Sequence, residues 1–136
     1  MPSVLVDAGP LVALVVRSDP AHTACMRSLS RMRGGLVTVW PAFTEAMHLV
    51  ARYEGAIDAV WGLLASTAIA VARLDEDDVP RMRALMAKYR DLPMDLADAA
   101  IVRVAERERI RTVFTVDRRD FQIYRPSRLG RFTIVP

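Results

Sequence analysis

The sequence predicts an α/β fold with a mainly parallel sheet, and two observations predict it. Short, continuously apolar segments alternate with longer segments whose apolar residues recur at helical spacing. Short apolar segments of this kind are typical of strands covered on both faces, as in parallel sheets. The intervening helices would supply the right-handed crossovers that parallel strands need. A chain of 136 residues has room for one core, so we expect a single domain over residues 1–136.

Five segments are predicted to form the strands. The first contains Val4, Leu5 and Val6 and is followed by Asp7, and the fourth is likewise followed by Asp117. The fifth is expected at an edge of the sheet. In chain order the predicted strands are 3–6, 36–39, 68–74, 112–116 and 132–135.

The first half of the chain is predicted to contain four helices. Residues 8–10 form a turn into the first, because a proline at a first-turn position such as Pro10 loses no hydrogen bond. Asp19 and Pro20 separate this helix from the second. The third begins at Pro41, and the fourth follows a glycine break.

Two more helices are predicted between the third and fourth strands. Asp75 caps the first of them, which has an acid-rich first turn. The second opens near Asp95, and helical spacing places Asp98 in line with the apolar residues of its core face. A carboxylate there is costly unless it is paired or bound to a metal. After the fourth strand, residues 118–129 are predicted to be a basic loop.

The composition is ordinary for a globular protein, with 52% hydrophobic and 26% charged residues. No apolar run approaches the ~20 residues that span a bilayer, and the N-terminus has no secretory pattern, so we expect no membrane partner. The single Cys25 cannot form an internal disulfide, which fits a reducing compartment. We therefore expect a cytoplasmic protein.

The net charge of +3 is carried almost entirely by arginine, since Lys88 is the only lysine. Guanidinium groups match phosphates and stack on bases. A strong arginine bias can equally come from the base composition of a genome. The charge alone is therefore weak support for a nucleic-acid partner.

Acidic residues lie where the predicted strands end. Asp7 follows the first strand and Asp117 the fourth, while Glu45 and Asp98 lie in the first turns of two helices. Sites in open parallel sheets form at the carboxyl ends of the strands, where the strand order reverses. If the first and fourth strands are neighbours, these four carboxylates converge on one crevice.

Four carboxylates in a small crevice raise one another's pKa unless cations neutralise them. Magnesium and manganese prefer such oxygen ligands, and they can activate a water and orient a phosphodiester. The chain has no Cys/His set with zinc spacing and no glycine-rich phosphate loop. The acids therefore favour metal-dependent phosphodiester hydrolysis.

Four segments of the chain, taken in order, resemble the motifs of the PIN-domain ribonucleases, and in particular those of the VapC toxins of bacterial toxin–antitoxin pairs. They are Asp7-Ala-Gly-Pro-Leu-Val-Ala-Leu, the isolated Glu45, Asp95-Leu-Ala-Asp98-Ala-Ala-Ile-Val and Thr115-Val-Asp117-Arg-Arg-Asp120-Phe121. The resemblance covers essentially the whole chain. It implies a three-layer fold with a five-stranded parallel sheet of order 3-2-1-4-5. It also implies a Mg²⁺- or Mn²⁺-dependent endoribonuclease, and a homodimer inhibited by a small antitoxin in the active-site groove.

The resemblance also implies roles for individual residues. The family's catalytic and metal-binding acidic quartet corresponds to Asp7, Glu45, Asp98 and Asp117. Asp95 matches a frequent additional acid, although a helix cap explains it equally well, and Thr115 matches a common hydroxyl beside the last acid. Ala8 stands where many relatives carry Ser or Thr, which removes a hydroxyl that would help to position water or metal. Asp120 is interpreted as a turn acid rather than a ligand.

Several other residues have both a functional and a structural interpretation. Arg118, Arg119 and Arg125 follow the last acid and are candidates for RNA phosphate contacts, or for a solvated face. His48 shares a helix face with Glu45 and could lie near the site. Trp40 lies near the expected cleft, where it would stack on a base or pack.

Three other functional classes have to be considered at this point. A non-catalytic α/β module would bind RNA or a partner protein without cutting, and its RNA binding would not need metal. A small-molecule phosphohydrolase of the haloacid-dehalogenase type is disfavoured, because Asp7 is followed by Ala8 and Gly9 and not by an Asp-x-Asp motif. A receiver domain is disfavoured because Lys88 lies in a helical stripe and not after a late strand.

Overall fold

Five parallel strands form one sheet in the order β3-β2-β1-β4-β5. The computed structural model describes residues 2–66 and 68–136. The strands are β1 (Val4–Val6), β2 (Leu36–Thr38), β3 (Ile69–Val71), β4 (Thr112–Phe114) and β5 (Thr133–Val135). The predicted fold class, the strand order and the edge position of the last strand are confirmed.

The central strand β1 is buried throughout. Successive side chains of a strand point to opposite faces, and Val4, Leu5 and Val6 are all buried, so helices cover both faces of the sheet here. Each strand is shorter than its predicted segment. Pairing nevertheless extends past two of them, because the Asp7 amide donates to Phe114 and the Thr115 amide continues the ladder beyond β4.

In the described part of the chain, seven α-helices and one short 3-10 turn (Glu76–Asp78) connect the strands. The helices are α1 (Ala8–Val15), α2 (His22–Arg31), α3 (Trp40–Val50), α4 (Ala56–Ala65), α5 (Val79–Lys88), α6 (Leu96–Glu108) and α7 (Arg118–Ile123). Helix α1 packs against α2, α3 and α4, while α6 packs against α3 and α5. Within residues 2–66 and 68–136, no helix has the length and apolar character needed to cross a membrane.

Two local predictions were wrong. The segment predicted as a basic loop begins with α7, which is capped by Asp117 and buries Phe121. The residues predicted as a turn into α1 already belong to that helix, which begins at Ala8 because Asp7 caps it directly. In both places a strand-ending aspartate accepts a backbone N–H of the next turn, which lets a helix start without an intervening loop.

A buried ion network holds α6 in place. Asp78 at the end of the 3-10 turn is only 1% exposed, and its two carboxylate oxygens accept hydrogen bonds from Arg103 Nε (2.7 Å) and Arg107 Nη1 (2.8 Å). Its Oδ2 also accepts the backbone N–H of Asp75 at 3.0 Å. Both arginines belong to α6, the helix that carries Asp98, so this network fixes the helix that presents a candidate site residue.

Candidate functional site

A cleft of about 220 Å³ lies beyond the carboxyl ends of β1 and β4 and is lined by six acidic side chains. These are Asp7, Glu45, Asp95, Asp98, Asp117 and Asp120. All four acids predicted to converge lie in this cleft, because β1 and β4 are neighbours in the sheet. Among the described residues that line the cleft, none is Lys or Arg.

Asp7 is the most tightly held of these acids. It follows β1, is 7% exposed and accepts the Ala8 backbone N–H through Oδ1 (2.8 Å) and the Thr115 hydroxyl through Oδ2 (2.9 Å). Burial raises the pKa of Asp7 to about 6, with smaller contributions from Glu45 and Asp95, although both hydrogen bonds lower it. Gly9 allows the first turn of α1 to lie close to Val116, since a Cβ at this position would come within 2.4 Å of Val116 Cγ2.

Asp98 lies in the first turn of α6 and is 8% exposed. Its backbone N–H donates to Asp95 Oδ1 at 2.8 Å, so Asp95 is the N-cap of the helix. Burial first, and then the nearby Asp7 carboxylate, raise the pKa of Asp98 to about 8, although the Tyr124 hydroxyl lowers it. Carboxyl groups with such high pKa values are typical of sites where a cation compensates the charge.

Thr115 joins the first and last acids of the predicted quartet. It is fully buried, and its hydroxyl donates to Asp7 while accepting the backbone N–H of Asp117 at 3.0 Å. One hydroxyl thus orients a carboxylate on β1 and a loop after β4. The predicted proximity of Thr115 to the last acid is observed.

Asp120 lies closer to the other acids than the sequence interpretation allowed. One carboxylate oxygen each of Asp98, Asp117 and Asp120 lie within 4.8 Å of one another. Asp120 occupies the first turn of α7, and burial and then Asp117 raise its pKa. The spacing Asp-x-x-Asp from residue 117 is the signal that could have identified it, provided that a helix and not a loop had been predicted there.

Tyr124 is a site residue that the sequence analysis missed altogether. Its hydroxyl donates to Asp98 Oδ2 at 2.7 Å, and its ring is fully buried against Tyr89 and Phe121. The two residues are 26 positions apart, and no local pattern links them.

The remaining candidates lie at the edge of the cleft. Glu45 on α3 is exposed, and partial burial followed by Asp95 raises its pKa. His48 lies in an adjoining apolar pocket that Glu45 also lines, and not in the acidic cleft itself.

The three arginine candidates are placed differently. Arg118 and Arg119 are exposed at the start of α7, and Arg118 donates to the carbonyl of Pro136. Arg125 donates through Nη1 to three carbonyls at the end of α7, so its guanidinium stabilises that terminus.

The donor set of the cleft fits a hard divalent cation. Every ionisable side chain that lines it is a carboxylate, and no histidine or cysteine is among the lining residues. Oxygen-only sets of this kind suit Mg²⁺ and Mn²⁺ and do not suit structural zinc.

A comparison of the sequence with known protein families identifies the family of this chain. The profile of the PIN domain matches residues 4–126, which include every acid of the cleft. The chain belongs to the PIN-domain family. The PIN domain is also similar to Ribonuclease VapC26 of Mycobacterium tuberculosis (strain ATCC 25618 / H37Rv), with 40% identity over 73 residues. That match covers 54% of this chain, and the chain spans about half (54%) of the length of that relative.

Solved structures share the fold of this PIN domain. Mycobacterium tuberculosis VapC20, described as a sarcin–ricin-loop-cleaving toxin, matches with a TM-score of 0.74 and 19% identity over 81% of this chain and 86% of that chain. A toxin–antitoxin complex from Klebsiella pneumoniae matches with a TM-score of 0.66 and 21% identity. That match covers 87% of this chain and 89% of the other. VapBC2 from Rickettsia felis, bound to a promoter DNA fragment, matches with a TM-score of 0.69 and 9% identity. That match covers 98% of this chain and 99% of the other.

Proposed function

We propose that this PIN domain, spanning residues 1–136, is a metal-dependent endoribonuclease that hydrolyses RNA phosphodiester bonds as the toxin of a type II toxin–antitoxin pair. The observation that carries the proposal is the convergence of six carboxylates on one cleft at the carboxyl ends of β1 and β4. Their mutual repulsion makes the cleft a site for divalent cations, and such cations catalyse phosphodiester hydrolysis.

The catalytic residues of the proposal are Asp7, Glu45, Asp98 and Asp117, and Asp120 joins them as a metal ligand because of its position beside Asp98 and Asp117. These carboxylates would hold Mg²⁺ or Mn²⁺. A divalent ion bound there supplies Lewis acidity, activation of water and neutralisation of phosphate charge. Since the carboxylates repel a bare phosphate, they would also exclude RNA from the cleft until cations are bound.

Thr115 and Tyr124 fix the orientation of two of these carboxylates. The hydroxyl of Thr115 engages one oxygen of Asp7, and that of Tyr124 engages one oxygen of Asp98. Hydrogen bonds to the ligands of a metal set their direction and basicity. Arg118 and Arg119, exposed beside Asp117, are proposed to contact the RNA backbone, while Arg125 mainly holds the end of α7.

The partners of the proposal come from the relatives. One relative is named a ribonuclease, one structural neighbour is described as a sarcin–ricin-loop-cleaving toxin, one as a toxin–antitoxin complex, and one as VapBC2 bound to promoter DNA. We therefore propose a small antitoxin that occupies the groove, and a homodimer. The buried free thiol of Cys25 fits work in a reducing cytoplasm.

A circular single-stranded RNA tests the endonuclease directly, because it has no ends for an exonuclease. We expect the purified protein to linearise it in Mg²⁺ or Mn²⁺ and not in chelator, and we expect Asp98→Asn to leave it circular. Circles that remain intact under every metal condition, with RNA bound equally well in chelator, would indicate the non-catalytic binding module.

Mn²⁺ binding, followed by electron paramagnetic resonance of the free ion, tests the ligand set without any substrate. Asp98→Asn, Asp117→Asn and Asp120→Asn are each expected to weaken binding by about tenfold or more. Asp58→Asn on α4 is the control, since Asp58 is not among the residues that line the cleft. Equal affinity in Asp120→Asn and the unmodified protein would remove Asp120 from the set.

The toxin assignment has its own test in cells. Expression of the unmodified chain is expected to arrest growth, and expression of Asp98→Asn is not. Co-expression of a small open reading frame from just upstream of the gene should restore growth if it encodes the antitoxin, and the complex should then co-purify. Normal growth with the unmodified, active nuclease would contradict the toxin role.

A further inference from the structure

A second cavity, of about 660 Å³, opens directly beside the acidic cleft. It is lined by Trp40, Pro41, Thr44, Glu45, His48, Asp95, Leu96 and Ala97. Glu45 and Asp95 line both cavities, so the two are continuous along these side chains. An RNA strand whose phosphate lies in the acidic cleft would therefore have a neighbouring nucleotide close to this second cavity.

Trp40 contributes a half-exposed indole ring to the wall of this cavity. Trp40 is 49% exposed, and its ring meets the buried Phe43 edge-to-face with centroids 5.5 Å apart. Phe43 therefore packs against the indole and holds it in place, while about half of the surface of Trp40 remains accessible to a ligand. Leu96, 50% exposed at the start of α6, is a second apolar contact surface in the same cavity.

We propose that this cavity binds an unpaired RNA base adjacent to the cleaved phosphate, with Trp40 as the stacking platform. The proposal rests on the proposed nuclease function and adds how the site recognises its substrate. Single-stranded RNA is recognised largely by stacking of unpaired bases on aromatic side chains.

The charges of the cavity also favour a base over other parts of RNA. Glu45 and Asp95 repel a phosphate, but carboxylates accept hydrogen bonds from the N–H groups on base edges. The apolar surfaces of Trp40 and Leu96 beside two carboxylates therefore suit a base that carries N–H donors, such as guanine, adenine or cytosine, and Thr44 and His48 add further polar contacts. The cavity does not suit the sugar-phosphate backbone. The backbone would instead contact Arg118 and Arg119, which are exposed at the start of α7 beside Asp117.

Trp61 offers a matched control for Trp40. It is also 49% exposed and also meets Phe43 edge-to-face, with centroids 5.0 Å apart, but it belongs to α4 and is not among the residues that line the cavity. Removing either indole takes away one contact with Phe43, so both variants should lose similar stability. Only Trp40→Ala should change RNA binding.

The test measures single-stranded RNA binding in the Asp98→Asn background, and KM and kcat in the active protein. Trp40→Ala is expected to raise Kd and KM about 5- to 100-fold, as loss of one stacked base would. We expect kcat to stay within about threefold, since the acids are untouched, and Trp40→Phe to keep most of the affinity. Trp61→Ala should match the unmodified protein in all three values, with melting temperatures recorded for each variant.

Abasic oligonucleotides complete the experiment. Removing the base next to the cleavage site should weaken binding to the unmodified protein but have little further effect on Trp40→Ala. If cleavage requires metal and Asp98 but Trp40→Ala leaves Kd and KM unchanged, the base pocket is contradicted and the nuclease function is supported. Trp40-dependent binding without any cutting would support the pocket and overturn the nuclease. Loss of antitoxin binding alone in Trp40→Ala would assign the cavity to a protein partner and also overturn the proposal.

Discussion

The hydroxyl of Tyr124 donates a hydrogen bond of 2.7 Å to Oδ2 of Asp98, and both side chains are buried. The ring of Tyr124 is held edge-to-face between Tyr89 (5.0 Å) and Phe121 (5.2 Å). A ring held in this way fixes its hydroxyl, and the hydroxyl fixes the carboxylate. Tyr124 is thus a positioning residue for Asp98.

Tyr124→Phe keeps the ring and removes only this hydrogen bond. We expect Mn²⁺ affinity and kcat to fall by about 10- to 100-fold, as for other hydrogen-bond partners of metal ligands. Calorimetric titration with Mn²⁺ and steady-state cleavage check this. Tyr89→Phe is the control, because the Tyr89 hydroxyl accepts a hydrogen bond from the Arg125 amide and does not contact the acids. Equal metal affinity in both variants would contradict the positioning role.

Thr115→Val replaces the bridging hydroxyl with a methyl group of similar size. The buried oxygen of Asp7 and the partly buried Asp117 amide both lose their partner, which should cost about 1–3 kcal/mol of unfolding free energy. Cleavage should fall by about 10-fold or more, because Asp7 is no longer oriented. Thr115→Ser keeps the hydroxyl and should recover most of the activity. A Ser variant as inactive as Val would point to packing of the lost methyl group instead.

The stability of the metal-free protein should fall as pH rises. The pKa values of Asp7 and Asp98 are about 6 and about 8, above the ordinary 3.8. The folded protein therefore keeps these protons to higher pH than the unfolded chain. Their contribution is complete below about pH 4 and is lost as pH rises through about 6 and 8. Melting curves in chelator should show this decline between about pH 4 and pH 8, and saturating Mn²⁺ should reduce it.

Asp98→Asn tests whether ionisation of Asp98 contributes to this decline in stability. The amide cannot ionise and can still accept the Tyr124 hydrogen bond, so at about pH 8 the metal-free mutant should melt at or above the temperature of the unmodified protein. The upper part of the pH slope should also disappear. A mutant that melts several degrees lower in chelator would show that charge crowding is not what limits stability in the cleft.

Asp78→Asn should destabilise the fold without touching the cleft. Although burial raises the pKa of Asp78, hydrogen bonds from the Asp75 amide, Arg103 and Arg107 lower it to about 2. The mutant removes the buried anion that Arg103 and Arg107 share and leaves Arg107 only its pair with the exposed Glu108, which should cost about 2–4 kcal/mol. Urea unfolding measures this, with Arg73→Gln as control. That change removes an exposed ion pair worth at most about 1 kcal/mol, and equal losses in the two variants would contradict the network's role.

The fold was largely predictable because its signals are local. Val4, Leu5 and Val6 form a continuously apolar strand, and Asp95 followed by a core-facing Asp98 marks the start of α6. The failure at α7 has a local reason too. With six residues and one buried side chain, Phe121, it shows no apolar period. Its stability comes from the Asp117 cap and from packing against β5, which only the tertiary structure supplies.

The site was predictable to the level of the acids and no further. Strand ends locate Asp7 and Asp117, since the sheet order brings β1 and β4 together. The contact between Tyr124 and Asp98 depends on where the chain runs at the end of α7, and nothing in the spacing of the two residues indicates it. The position of Asp120 near Asp98 and Asp117 was not predictable for the same reason, because its distance from Asp98 is set by the direction of α7.

The most direct test of the central claim is cleavage of purified tRNA and ribosomal RNA by this protein beside Asp98→Asn, in Mg²⁺ or Mn²⁺ and in chelator. We predict discrete fragments that require both the metal and Asp98, and whose ends identify the target. Identical faint smearing by both proteins would indicate a contaminating nuclease. Intact RNA in every metal condition, with equal RNA binding in chelator, would contradict the account.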